Sequence, residues 1–286
     1  MKMLNLGIVA DEISRDFREA VRIGTRCGLR RYEIRFMKSG RAPICDREEL
    51  LEIERIRDGE GLEITALSPG LFKWTDTPEK FKREMSEVFP RSVELARRWN
   101  LRALIVFGFQ KPGATEENAD TISSANPPEW VVECLSEAAE QARAENLKLL
   151  IEPEPVCWAD TGAATAELIR RTGSSALGVN YDPCNVAWQL RRDPIDEFNA
   201  VAPFIANVHV KDQPDAPVGS GIPRWVTPGE GLIDYHRHFA ALKLIGYDGP
   251  VSLEPHFPLT VETLSQCKQA VEKFWAAANL EESFPT

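Results

Sequence analysis

The run Lys148-Leu149-Leu150-Ile151-Glu152, the stretch Gly162–Thr172 and the run Leu177-Gly178-Val179-Asn180-Tyr181-Asp182 decide the fold. The first and third are short and rich in β-favouring apolar residues. The second is amphipathic at helical spacing and is followed by Gly173, a helix stop signal. Strand, helix and strand in this order form a parallel βαβ unit, in which the helix carries the chain back so that the second strand runs with the first.

The same alternation extends outward in both directions. It predicts strands at Leu4–Val9, Arg31–Arg35, Glu63–Leu67, Ala103–Phe107, Lys148–Glu152, Leu177–Asp182, Ile205–His209 and Pro250–Glu254. Helices are predicted at Ser14–Cys27, Arg47–Gly59, Pro78–Trp99, Pro127–Glu145, Gly162–Thr172, Pro194–Ala202, Tyr235–Ile245 and Val261–Ala278. Ser14 and Asp46 read as N-caps, Pro78 and Pro194 as first-turn prolines, and Gly28, Gly61, Gly173 and Gly246 as stops before strands. Eight such units either close into a barrel or spread as an open doubly wound sheet. The residues after Val9 are Ala10-Asp11-Glu12-Ile13-Ser14 rather than a Gly-x-Gly-x-x-Gly turn, which removes the main support for a dinucleotide fold. No linker or low-complexity tract divides the chain. The expected architecture is a single α/β domain over residues 1–286, a (β/α)8 TIM barrel. Its longest irregular stretches, Gly108–Asn126 and Gln213–Ile233, follow strands and so belong to the catalytic face.

Composition narrows the function classes. Hydrophobic residues make up 43% of the 286 and charged residues 27%, a globular balance. With 34 basic against 44 acidic residues the net charge is −10, which repels nucleic-acid backbones. No apolar run approaches the roughly 20 residues needed to cross a bilayer, and the first residues show no signal-peptide pattern. The six cysteines are scattered without a C-x-x-C pair, as suits a reducing compartment. The expectation is a cytoplasmic protein with a small-molecule substrate, no nucleic acid and no membrane as partners, and a homo-oligomeric state left open.

Chemistry gathers at the ends of the late strands. Strand five ends in Glu152, strand six in Asp182, strand seven in His209 and strand eight in Glu254. Inward side chains at the carboxyl ends of neighbouring strands converge on the barrel axis. A lone carboxylate there is commonly a helix cap, and a lone histidine a satisfied core residue. Three carboxylates converging with one imidazole instead repel one another unless a cation joins them, and the mixed oxygen and nitrogen donors suit a hard or borderline divalent ion. Mn2+ is the first choice, with Mg2+, Co2+ or Zn2+ as alternatives.

The motifs Asn180-Tyr181-Asp182-Pro183-Cys184-Asn185, Val208-His209-Val210-Lys211-Asp212, Gly229-Glu230-Gly231 and Gly246-Tyr247-Asp248-Gly249-Pro250, with Glu152 and Glu254, resemble the sugar phosphate isomerase/epimerase family of xylose isomerase-like TIM barrels. The resemblance implies Glu152, Asp182, His209 and Glu254 as metal ligands, with Glu152 and Glu254 doubling as the catalytic acid/base pair. Asn185 stands where many of these epimerases, and the related endonucleases, have histidine. With only four histidines in the chain, two of them (His236 and His238) on a predicted outer helix, the trinuclear zinc cluster of the endonuclease branch lacks its ligands.

The implied reaction is proton abstraction beside a carbonyl, with the metal stabilising an enediolate and the two glutamates moving the proton. Isomerisation or epimerisation of a small sugar or hydroxy-ketone is the leading expectation. The rivals are a dehydratase acting on a cyclic polyol-ketone or dehydroshikimate-like compound, and a sugar-binding barrel without a reaction. Glu33, Asn185, Lys211, Arg224 and His256 are the substrate-binding candidates; Lys211 has Glu154 as an alternative partner, and Glu230 is read as fixing the loop before the helix at Tyr235. Trp74, Trp158, Trp188 and Trp225 follow strand ends and are expected to wall a closed pocket.

Overall fold

A computed structural model describes residues 3–119, 126–215 and 224–278. Parts of both long loops and the first two residues of the chain therefore lie outside the described residues. The strands are β1 (Asn5–Val9), β2 (Arg31–Ile34), β3 (Glu63–Leu67), β4 (Ala103–Phe107), β5 (Lys148–Glu152), β6 (Leu177–Tyr181), β7 (Ile205–Val210) and β8 (Pro250–Leu253). Each pairs in parallel with the next, and β1 pairs with β8, from Asn5 beside Pro250 to Ile8 beside Leu253, closing the barrel. The (β/α)8 architecture is the one expected, and the strand bounds agree with the apolar runs to within one residue.

Strand alternation sets what faces where. Tyr32 and Ile34 of β2, Leu149 and Ile151 of β5, Val208 and Val210 of β7, and Val251 and Leu253 of β8 join the main apolar core under the helices. Ala66, Ile105 and Leu150 form a separate small cluster. The opposite parity carries Glu33, Asn180, Asn207, His209, Ser252 and Glu254, all buried and polar, toward the carboxyl ends of the strands.

The helices depart from expectation in three places. Between β1 and β2 the chain forms a short α1 (Ala10–Ile13) and then α2 (Phe17–Arg26). Ser14 closes α1, and the N-cap of α2 is Asp16, whose carboxylate accepts from the amides of Arg18 and Glu19. After α3 (Arg47–Glu60), the helix expected over Pro78–Trp99 is broken into α4 (Pro78–Glu87) and α5 (Phe89–Trp99). Pro90 lacks the N–H an unbroken helix would use, so Val88 ends one helix and starts the next. Asp46 precedes α3 but makes no side-chain cap. Past α6 (Glu129–Ala144) and α7 (Gly162–Thr172), α8 (Pro183–Leu190) follows Asp182 directly and was not anticipated. The helix expected from Pro194 is a 3-10 turn leading into the short α9 (Phe198–Val201). The outer layer is completed by α10 (Tyr235–Leu244) and α11 (Val261–Ala277). Gly28, Gly61, Gly173 and Gly246 all take positive φ, as their stop role requires.

Candidate metal centre

Glu152, Asp182, His209 and Glu254 come together at the carboxyl end of the barrel, each offering a ligand atom within 4.8 Å of the others. All four side chains are buried. Asp182 combines two roles: Oδ1 accepts the amide of Asn185 at 3.0 Å and caps α8, while Oδ2 is buried without a hydrogen bond. Proline at the first helical position supplies no N–H of its own, so the cap reaches past Pro183 to Asn185.

Glu152 is held by two amides. Asn180 Nδ2 donates to Oε2 at 3.0 Å and Asn185 Nδ2 to Oε1 at 3.1 Å; Asn185 also donates to the Pro153 carbonyl at 2.9 Å. His209 Nε2 lies 2.9 Å from Glu33 Oε2, and its Nδ1 lies 3.2 Å from Glu254 Oε2 and 3.7 Å from Glu152 Oε2. With Nε2–H donating to Glu33, Nδ1 is the nitrogen facing the cluster. Glu33 itself is fully buried against His209 and is not among the residues lining the cavity, which places it as a support for the imidazole.

Lys211 Nζ lies 2.7 Å from Asp182 Oδ2 and 2.8 Å from Glu254 Oε2, while Glu154 is paired with Lys73 at 3.1 Å. Lys211 therefore does not take Glu154 as partner. Arg35 Nη2 reaches Asp11 at 3.0 Å and Glu12 at 2.6 Å, and its other terminal nitrogen contacts Glu254. His256, at φ +60°, donates its backbone amide to Glu12 Oε2 at 2.6 Å, and its Nδ1 lies 2.9 Å from Glu12 Oε1.

The charges of this network do not balance. Six carboxylates (Asp11, Glu12, Glu33, Glu152, Asp182, Glu254) face Arg35, Lys211, His209 and His256, leaving −2 even with both imidazoles protonated. Burial opposes every charge here, and the pairings decide the direction. Burial would raise Glu254, but Lys211, His209 and His256 hold it well below the usual carboxylate range. Burial likewise opposes His209 ionisation, yet Glu33, Glu254 and Glu152 push the imidazole well above its ordinary value. Asp182 stays raised because burial outweighs Lys211. The excess negative charge and the mixed oxygen and nitrogen donors fit a divalent cation.

Above the cluster lies a cavity of about 380 Å3, within the range of small-ligand sites. Asn185, Lys211, Arg224 and His256 line it, as do Trp74, Trp188 and Trp225. Trp158 does not; it packs against the main core. The Arg224 guanidinium stacks 4.6 Å from the Trp188 ring centre and 5.1 Å from that of Trp225, whose ring in turn meets His256 at 5.0 Å. The loop preceding α10 is fixed by Asp212 rather than by Glu230. Asp212 accepts the amides of Gly229, Gly231 and Ile233, while Glu230 is exposed.

Sequence reasoning passed over Asn180 and Arg41. The first shares strand parity with Asp182, which was a usable signal. The second sits in the β2–α3 loop, where periodicity says nothing about direction.

The model of the xylose isomerase-like TIM barrel family matches residues 21–273. The chain belongs to this family. An inosose isomerase of Bacillus velezensis is 25% identical over 203 residues, 68% of this chain and 69% of that protein. Two solved structures share the fold. The IolI protein with a bound zinc atom has a TM-score of 0.74 at 20% identity, covering 98% of this chain and 99% of that one. A D-tagatose 3-epimerase-like protein has a TM-score of 0.74 at 17% identity, covering 98% and 99%.

Proposed function

We propose that this barrel is a divalent-metal-dependent isomerase or epimerase of a small sugar or related hydroxy-ketone. The observation that carries the reading is the pair Glu152 and Glu254, two buried carboxylates that line one cavity from strands three apart and share a cation-seeking cluster with Asp182 and His209. The likeness to an inosose isomerase supports the same class of chemistry.

Glu152, Asp182, His209 Nδ1 and Glu254 would hold the ion, Mn2+ by preference, with Mg2+, Co2+ or Zn2+ also compatible with the donors. When bound, the ion supplies Lewis-acid charge for the carbonyl and the adjacent hydroxyl of the substrate. The protein's own groups do the rest. Glu152, steadied by Asn180 and Asn185, is placed to take the proton from carbon. Glu254, on the other side of the cavity, would return a proton to carbon after taking one up from solvent, while Glu152 gives its own back to solvent; Lys211, touching Glu254, can hold a substrate oxygen. Glu33, on Nε2, favours the histidine tautomer whose Nδ1 carries its lone pair toward the cluster, where Asn180 Nδ2 lies 3.1 Å from it. The tryptophans exclude water and offer faces to a carbon ring or chain.

The test is incubation with Mn2+ and a panel of ketoses and inososes in deuterated water, followed by mass spectrometry. Uptake of deuterium with the product mass otherwise retained is the expected result. Loss of water from the substrate makes the enzyme a dehydratase, and no exchange on any member of the panel by metal-loaded protein contradicts the proposal.

A further inference from the structure

Among the cations that line the cavity, Lys73 is paired with Glu154, Lys211 with Asp182 and Glu254, and Arg35 with three carboxylates. Among the described residues, Arg41 and Arg224 line the same cavity with no carboxylate at ion-pair distance. Arg224 is exposed, and water serves its charge. Arg41 is different because it is partly buried and fixed in place. Its Nε donates to the Ser68 carbonyl and its Nη2 to Ser68 Oγ, both at 2.9 Å. Its guanidinium lies 4.9 Å from the ring centre of Phe36 and 5.9 Å from that of Phe107. Beneath it Gly70, at φ +82°, leaves room where a Cβ would come within 2.8 Å of Nε. Burial, and then the neighbouring Arg35 guanidinium, pull Arg41 down to about 10 against the opposing pull of Glu152, Asp11 and Glu254.

We infer that Arg41 is a substrate-binding residue that receives a carboxylate, so that the substrate is an acid-bearing polyol or hydroxy-ketone rather than a neutral sugar. This rests on the cavity being the reaction site proposed above. Two of the guanidinium's donors are committed to Ser68, which fixes its plane and leaves the rest of the fork for a planar oxyanion. A carboxylate is favoured over a phosphate because one arginine, with no glycine-rich loop and no second free buried cation among the described residues, matches a single charge. The site also makes a chemical division: the paired cations serve the reacting oxygens, and Arg41 anchors the end that does not react.

Calorimetry on the full chain loaded with Mn2+ tests this. It compares D-glucuronate, D-galacturonate and quinate with D-glucose, D-galactose and myo-inositol, and adds D-glucose 6-phosphate. At least one acid should bind about tenfold or more tightly than its uncharged counterpart. Arg41→Gln should remove that preference without altering metal content or the response to the uncharged compound, and Arg41→Lys should restore part of it. The inference is overturned if no acid is preferred, if Arg41→Gln keeps the preference, if Arg224→Gln alone abolishes it, or if the phosphate outcompetes every acid. Metal analysis of the same samples separates the two readings. Full metal occupancy without acid preference sinks the carboxylate site alone, and acid preference without metal binding sinks the metal reading alone.

Discussion

Strands β5 to β8 end in Glu152, Asp182, His209 and Glu254, whereas β1 to β4 lead at the same mouth into Asp11, Arg35, Ser68 and Phe107. The late half presents ligand atoms that converge on one point. The early half presents groups that hold other groups: Arg35 grips Glu254 across the closure of the barrel, Glu33 supports His209, and Ser68 fixes Arg41. One closed sheet thus separates the residues that would touch the metal from those that aim them and receive the remainder of the substrate. The division has a physical basis, since carboxylates crowded together need cations nearby, and the neighbouring strands are where such cations can stand.

Damage to the two halves should differ in kind. The largest effect is expected at Glu152: Glu152→Gln keeps the shape but removes the base, so turnover should fall by about a thousandfold or more with the melting temperature nearly unchanged. Full activity in that variant would end the catalytic assignment. In the early half, Glu33→Gln should weaken metal binding by about 10- to 100-fold while turnover at saturating metal largely survives. A turnover loss as deep as that of Glu152→Gln would erase the contrast between the halves.

Proton linkage sharpens it further. In the metal-free chain Glu33, Glu254 and Glu152 hold the His209 proton well above the ordinary imidazole range. An imidazole must lose its extra proton to bind a metal, so binding expels that proton. Affinity should therefore rise with pH by up to about tenfold per unit until pH passes the raised pKa, then level off. Titration in buffers of different ionisation enthalpy counts the protons, and binding that releases none would contradict the assignment of His209. The smallest effect belongs to Ser68→Ala, which frees one nitrogen of Arg41. It should raise KM for an acidic substrate by about threefold and leave kcat alone.

The barrel was legible because each strand is a short apolar run bounded by a turn signal, and strand parity sufficed to aim Glu152, Asp182, His209 and Glu254 inward. Parity could not tell which inward residue stands above another, and so it did not show that Glu33 packs against His209. Helix breaks depended on local detail that periodicity averages away, as at Pro90, and α8 was hidden because its cap, Asp182, had been read only as a ligand. The residues supplied by loops were the least visible. Arg41 is aimed by Ser68 and Gly70 from the loop after β3, and Asp212 gathers the amides of Gly229, Gly231 and Ile233; both arrangements exist only once distant segments meet.

The central claim is that Glu152, Asp182, His209 and Glu254 bind one divalent ion. Mn2+ titration of chelator-treated wild-type chain, beside the Asp182→Asn variant, tests it most directly. Asp182→Asn keeps Oδ1 for the α8 cap while removing the charge of the carboxylate. The account predicts about one ion per chain for the wild type and at least about tenfold weaker binding for the variant. Absence of binding to the wild type, or equal binding to both, would contradict it.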